Sequence, residues 1–189
     1  MTIFIDKKAL CSTPLKDFCE IQGIGNDPMY MRPGSVQSIV GRYIPKDMQD
    51  FLAVPEYSAE DDAIVWFAPN WTDTPRRIND LYGEEKEKYD RIYRDTLNVY
   101  NDVKRKLHGE SLGILDSALK FVNENFLFCY DNKVVLVAWG MNLRDSVYDA
   151  KGSIVFNFSQ TKGYTIIFDP GEGARWRWCI DHYVSPRTS

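Results

Sequence analysis

The strongest hydrophobic pattern in this chain lies between residues 84 and 107. Side chains that suit a buried stripe recur there at steps of three or four, which is the spacing of one face of an amphipathic helix. These positions are Tyr89, Ile92, Thr96, Tyr100, Val103 and Leu107. Acidic residues crowd the first turn and basic residues the last, as the helix dipole favours. The pattern predicts one long helix that ends before Gly109.

A second apolar stripe follows that glycine and consists of Leu112, Leu115, Leu119 and Val122. Ser111 stands at its start and is the expected N-cap, because a serine hydroxyl can accept a hydrogen bond from a free N–H group of the first turn. The two stripes are separated by a short, glycine-containing link. They predict a helical hairpin over residues 84–123.

Beyond the hairpin, short apolar runs alternate with turn residues and predict strands. Runs 126–130 and 133–139 are separated by Asp131 and Asn132, which tolerate positive φ and suit a tight turn. Further strands are expected at 153–158, 164–168 and 174–184. Short connections favour antiparallel pairing, because parallel strands need long crossovers. We therefore expect an antiparallel meander of about five strands over residues 125–184.

The first 57 residues are interrupted so often by proline and glycine that no long helix is expected there. Short strands are predicted at 2–5 and 36–44, and a turn of helix at 46–52. The apolar run 63–67 predicts another strand, and the loop after it is expected to be held to the body of the domain by Trp71.

Together these elements predict a single α+β domain over residues 1–189. Its parts are an irregular, partly β N-terminal region (1–57), the helical hairpin (84–123) and the meander (125–184), on which the hairpin packs. Residues 134–139 are apolar on both faces of their strand. One hairpin covers only one face of a sheet, so we expect the N-terminal region to cover the other, with a partner protein extending that cover.

Composition narrows the function classes. The chain has 23 Lys and Arg against 27 Asp and Glu, a net charge of −4, which argues against a general nucleic-acid binder. It contains no apolar stretch long enough to span a membrane, and its start lacks the pattern of a signal peptide. A cytoplasmic protein without membrane insertion is the expectation.

The four cysteines are expected to be reduced thiols. Four in 189 residues are too sparse for a disulfide-stapled scaffold. Cys129 and Cys179 stand inside apolar, strand-like runs, where a thiol behaves as a small core side chain. Cys11 and Cys19 complete the set.

Motifs for catalysis and for cofactors are weak. Cys179, Asp181 and His182 are close in sequence, but alternation along a strand would turn the histidine away from the other two. Two histidines and scattered cysteines give no metal-ligand spacing, and the acidic turn 60–62 lacks the spacing of a calcium loop. Two G-x-G segments, 23–25 and 171–173, lack the strand and helix context of a nucleotide loop and predict turns. No metal or cofactor is expected.

The segment Arg175-Trp176-Arg177-Trp178 is the most unusual tetrapeptide in the chain. Its alternation is typical of a strand with the tryptophans inward and the arginines outward. An outward basic and aromatic surface is also a plausible recognition spot for a base, a sugar or an acidic partner. The candidate binding residues are Arg175, Arg177, Asp181 and Tyr183.

These observations favour a non-catalytic protein-interaction or assembly subunit of a larger, bacterial, multi-protein system. The many aromatic residues support this interpretation, because aromatics are enriched at protein interfaces. Its partner would be a second copy or another protein. Two alternatives remain open: an acidic, immunity-like inhibitor that binds a basic toxin, and a hydrolase built on carboxylates such as Asp169, Glu172 and Asp181.

Overall fold

A computed structural model describes residues 7–69, 71–144, 164–169 and 175–180. Mixed helix and antiparallel sheet make up the described chain, as the α+β expectation requires. Three α-helices lie within it: α1 (Pro33–Tyr43), α2 (Gly83–Lys106) and α3 (Gly109–Ala118). In this part of the chain, no helix combines the length and the apolar character that a membrane crossing requires.

The long amphipathic helix is confirmed as α2. Tyr89, Thr96 and Tyr100 are buried on one face of it, and Ile92 and Val103 pack half-buried beside them. Leu107, which caps its end, is also buried. Periodicity alone therefore located the helix and its core-facing stripe, because side chains three and four positions apart share one face of a helix.

The second helix, α3, begins earlier and ends earlier than predicted. His108 is its N-cap, so Ser111 lies inside the helix and the N-cap assignment was wrong. Gly109 adopts φ of 63°, which lets the chain turn directly from α2 into α3. The helices contact each other, and Lys104 Nζ lies 3.3 Å from Asp116 Oδ1.

The strand predicted at 36–44 is instead helix α1, and that prediction was wrong. Val36, Ile39 and Val40 are buried at the helical spacing i, i+3, i+4, and Pro33 stands at the first helical position, where its missing N–H costs nothing. The expected helical turn at 46–52 is present as a shorter 3₁₀ turn, Lys46–Met48. The strand predicted at 2–5 lies outside the described residues.

Three strands form the main N-terminal sheet, in the order β1–β6–β5. Their bounds are β1 (Lys7–Pro14), β5 (Val54–Ser58) and β6 (Ala63–Pro69), and both pairs are antiparallel. The smaller N-terminal strands are β2 (Phe18–Ile21), β3 (Gly23–Ile24) and β4 (Asp27–Pro28). The predicted strand at 63–67 is confirmed as β6.

The predicted hairpin after the helices is also confirmed. β8 (Leu127–Tyr130) pairs antiparallel with β9 (Lys133–Leu136), and β7 (Arg76–Arg77) adds to the other side of β8. Asp131 and Asn132 both take positive φ, 46° and 60°, as a tight hairpin turn of this kind requires. Helix α2 packs on β9.

The described C-terminal strands do not form one meander, so that arrangement needs correction. β10 (Met141–Leu143) pairs with β2 near the start of the chain, while β11 (Tyr164–Asp169) pairs with β12 (Arg175–Ile180). A turn at 137–140, with positive φ at Ala138 and Gly140, directs the chain away from β8 and towards β2. The strand predicted at 153–158 lies outside the described residues.

The N-terminal region packs against the apolar hairpin of β8 and β9. Leu136 donates its N–H to the Phe51 carbonyl over 2.6 Å and accepts from the Ala53 N–H over 3.0 Å. The rings of Phe18 and Phe126 lie 6.1 Å apart. One hydrophobic cluster runs from Leu10 to Leu143 and includes side chains of all three regions.

Candidate functional site

A cleft of about 380 Å³ opens between helix α1 and the start of strand β5. Val36 and Val40 of helix α1 and Phe67 of strand β6 form its apolar walls. Trp139 also lines the cleft. This volume falls within the roughly 300–1,000 Å³ usual for ligand pockets. The cleft is therefore large enough to admit an apolar group from outside the chain.

Trp139 is held in the cleft by its own turn and by two partners. Its indole Nε1 donates to the Ala53 carbonyl over 2.8 Å, and its ring lies 5.7 Å from the ring of Trp66. Ala138 before it has φ of 54°, a left-handed conformation that an alanine rarely adopts. The surrounding packing thus holds Ala138, the residue before Trp139, in an unfavourable backbone conformation. Such conformations are often found at functional sites.

Gly140 completes this turn with φ of 72°. A Cβ there would lie 3.0 Å from Met29 Sδ and 3.2 Å from the Ser117 carbonyl oxygen. The residue must be small as well as conformationally free, because two other elements approach its Cα.

Polar side chains gather at one part of the cleft lining. Gln49 Nε2 donates to the Ile44 carbonyl over 2.9 Å, and Asp50 accepts from Lys133 Nζ over 2.8 Å. Burial, with Asp50 nearby, raises the pKa of the Tyr100 and Tyr130 phenols well above the ordinary value. These phenols stay protonated at neutral pH, so the ion pair carries the charge of this part of the site.

Two exposed apolar side chains stand close in sequence to residues that line the cleft. Met31 is 54% exposed and Tyr57 is 39% exposed, and each stands two residues from a proline of the lining. The ring of Tyr30 lies 5.9 Å from that of Tyr57. Tyr57 also donates its hydroxyl to Asp62 over 3.0 Å, which holds the ring in place. The 3₁₀ turn Met29–Met31 and strand β5 contact each other, which brings the rings of Tyr30 and Tyr57 together.

The described thiols do not supply a nucleophile for this site. Burial raises the pKa of the Cys129 thiol to about 12 and raises that of Cys11 well above its ordinary value. Both are therefore neutral side chains of the core, and the expectation that Cys129 is a core residue is confirmed. Cys11, Cys19 and Cys129 are free thiols. Over the described chain, no group of three or more histidine, cysteine or acidic side chains is placed to hold a metal ion.

The structure describes only part of the predicted binding spot. In the register of β11 and β12, Arg175 lies opposite Asp169 and Arg177 opposite Ile167. Asp181 and Tyr183 lie outside the described residues, as do Glu172 and His182.

The glycine pair at 23–25 is part of a tight hairpin between β3 and β4, as its interpretation as a turn predicted. Gly25 takes φ of 63° there. The anchoring role of Trp71 is likewise confirmed, because the side chain is buried and its ring lies 6.4 Å from that of Tyr130.

Sequence reasoning missed the cleft. Its lining comes from helix α1, from the segment that follows it, from β6 and from the turn before β10, and these parts meet only in the folded chain. The available signal was weak: Pro33, Gly41 and Pro55 were interpreted as marks of irregular structure, whereas all three line the cleft.

No family model, no curated protein and no solved structure matches this chain.

Proposed function

We propose that this chain is a non-catalytic protein-interaction subunit whose cleft receives an apolar side chain from a partner protein. The observation that carries the proposal is the apolar cleft of about 380 Å³ lying beside exposed Met31 and Tyr57. Methionine and aromatic side chains are enriched at protein interfaces, and anchoring residues of a partner typically fill such pockets.

The edge of the sheet favours a side-chain anchor over an added strand. Strand β5 is the outer strand of its sheet, and it contains Pro55. Proline has no N–H to donate to a neighbouring strand, so this edge is a poor template for pairing. The partner is therefore expected to insert side chains into the cleft and to contact Tyr57 at its rim.

We place this subunit in the cytoplasm, within a larger protein assembly. Four cysteines in 189 residues are too sparse for a disulfide-stapled secreted domain, which supports a reducing compartment. A basic toxin as the partner would make the same surface the binding face of an inhibitor.

Helix α1 offers a matched pair of variants to test the proposal. A side chain at Gly41 points into open space, since a Cβ there meets nothing within 4 Å, and Gly41 lines the cleft. Gly34 on the same helix is equally open but is not among the lining residues. Gly41→Phe therefore obstructs the cleft without disturbing the core, and Gly34→Phe is its control.

The tagged full chain and both variants are produced in the native cell, cross-linked briefly and captured, and the bound proteins are quantified by mass spectrometry. We expect one partner to be retained by the parent and by Gly34→Phe and reduced about tenfold with Gly41→Phe, equivalent to about 1.4 kcal/mol of binding free energy. Equal capture of every protein by the two variants would show that the cleft does not bind the partner.

A further inference from the structure

Tyr82 is the most exposed of the large apolar side chains in the part of the chain that the structure describes, at 86%. It is the N-cap residue of helix α2 and is not among the residues that line the cleft. We propose that Tyr82 of one copy of this chain inserts into the cleft of a second copy. This inference rests on the proposed function of the cleft and identifies the partner as the same protein.

The fold holds the backbone at Tyr82 in place before a second copy binds. Leu81 is buried, and its N–H donates to the Ile78 carbonyl over 3.2 Å. The Tyr82 carbonyl accepts from the Lys86 N–H over 3.4 Å, where helix α2 begins. Binding therefore has to order little more than the tyrosine side chain itself, which keeps the entropy cost low.

The lining of the cleft matches the two parts of a tyrosine side chain. Phe67 and Trp139 supply aromatic surface for the ring, and aromatic pairs are favourable beyond the area that they bury. Asp50 supplies an acceptor for the hydroxyl. Lys133 Nζ contacts one oxygen of Asp50, Oδ2, over 2.8 Å, and a carboxylate has about four acceptor positions, so it can also accept from a phenol.

The ion pair of Asp50 and Lys133 also selects against a charged anchor. Its two charges balance, so a cationic side chain would gain attraction from the carboxylate and lose it to the ammonium. A neutral phenol requires no balancing charge and still forms a hydrogen bond. The cleft therefore suits tyrosine better than lysine, arginine or an acidic residue.

The start of helix α2 carries an excess of exposed negative charge. Glu84, Glu87 and Lys88 are exposed, which gives two acids against one base. The other charged residues of this segment form ion pairs within the chain, namely Asp80, Glu85 and Lys86. The surface from which Tyr82 projects is therefore acidic.

One flank of the cleft carries the opposite excess. Arg42 directly follows the lining residue Gly41, and Lys46 begins the 3₁₀ turn that leads to the lining residue Gln49. Arg42 and Lys46 are exposed, against one exposed acid, Asp47. Opposite charges on two surfaces favour their encounter and orient them. This complementarity supports a second copy as the occupant of the cleft.

Each copy carries one Tyr82 and one cleft, so it offers both halves of the contact. Two copies can exchange their tyrosines reciprocally and close a dimer, or each copy can bind the next in an open chain. Both arrangements use the same contact, and in both the exposed ring becomes buried. In the capture experiment, the protein lost with Gly41→Phe is then the untagged chain itself.

Analytical ultracentrifugation of the full chain tests the proposal, at concentrations up to about 1 mM, which covers the affinities of weak interfaces. We expect the parent to self-associate reversibly. Tyr82→Ser should weaken the association about tenfold, whereas Tyr82→Phe keeps the ring and should weaken it less. Gly41→Phe should act like Tyr82→Ser, and Gly34→Phe should match the parent. Unchanged thermal unfolding of the variants shows that each is folded.

A mixture of two variants separates the contact from any general effect of substitution. Gly41→Phe retains its tyrosine but has an obstructed cleft, and Tyr82→Ser retains an open cleft but has no tyrosine. Neither should associate appreciably alone, yet the two together should form a mixed complex through the one contact that remains intact. A damaged fold cannot produce such a gain.

Three results would overturn the inference: a parent that remains monomeric, an association that Tyr82→Ser or Gly41→Phe leaves unchanged, or a mixture that associates no better than its components. If one of these occurs while Gly41→Phe still reduces the capture of a different protein, the cleft binds another partner and the proposed function stands. If that capture is also unchanged, the proposed function fails together with the inference.

Discussion

Replacing Gly140 with alanine tests how the turn before β10 holds Trp139 in the cleft. The native φ of 72° is accessible to glycine at no cost, but a left-handed conformation costs an alanine about 1–2 kcal/mol. The added Cβ would also lie 3.0 Å from Met29 Sδ and 3.2 Å from the Ser117 carbonyl oxygen. Relieving such crowding in a packed core typically costs about 1–3 kcal/mol.

The two costs together predict a loss of about 2–5 kcal/mol in the free energy of unfolding. Gly25→Ala is the matched control, because Gly25 has a similar φ of 63° and open space around its Cβ position. That control should lose only the conformational part, about 1–2 kcal/mol. The difference between the two variants isolates the crowding at the turn.

Urea denaturation followed by tryptophan fluorescence measures both quantities. Gly140→Ala should lower the unfolding midpoint more than Gly25→Ala, and it should also shift the native emission because Trp139 moves with its turn. A double variant with Met29→Ala should lose less stability than the two single variants combined, since the truncated Met29 no longer meets the new Cβ. If Gly140→Ala is no more destabilising than Gly25→Ala, the close approach at the turn does not exist as described.

Three further predictions address buried and titrating groups. Tyr100→Phe removes the hydroxyl that donates to a backbone carbonyl over 2.8 Å and should cost about 1 kcal/mol in urea unfolding, whereas Tyr43→Phe on the surface should cost nothing measurable. Partial burial raises the pKa of Asp131, but hydrogen bonds from the backbone N–H groups of Thr72 and Asp73 and from the Thr72 hydroxyl outweigh it and leave the pKa below the ordinary value. The stabilising effect of Asp131 is therefore present above about pH 4 and is lost as the pH falls through the lowered pKa. The difference in free energy of unfolding between the parent and Asp131→Asn should therefore shrink in acid. A difference that is constant from neutral to acid pH would contradict the lowered pKa of Asp131. A thiol reagent should react with Cys19 first and with buried Cys129 slowly, and should count four thiols after denaturation without reductant; a count of two would indicate a disulfide.

Local patterns were predictable from the sequence because their determinants are neighbours along the chain. The stripe of helix α2 and the turn at Asp131 and Asn132 both depend on residues a few positions apart. Helix α1 shows the limit of such reasoning. Val36, Ile39 and Val40 fit the helical spacing, but their β-branched side chains and the flanking proline and glycine favoured a strand.

The remaining features depend on pairs that are distant in sequence. Nothing in the apolar run 134–139 indicates that Leu136 bonds to the 51–53 segment, or that β10 leaves the hairpin to join β2. The cleft could not be predicted for the same reason, because its lining is assembled from several segments that are distant in sequence. A single sequence carries no record of which distant segments meet, and so the cleft was not predicted.

The pairing of β2 with β10 also has a consequence for the order in which the chain can fold. Met141 lies opposite Ile21, and Arg144 Nε donates to the Lys16 carbonyl across 128 positions of sequence. During synthesis the segment around β2 leaves the ribosome long before its partner strand exists, while helices α2 and α3 can form from local contacts as they emerge. The backbone groups of β2 therefore stay unpaired until residue 144 has left the ribosome. Chains that terminate before β10 should be held in that unpaired state and become substrates for chaperones and proteases.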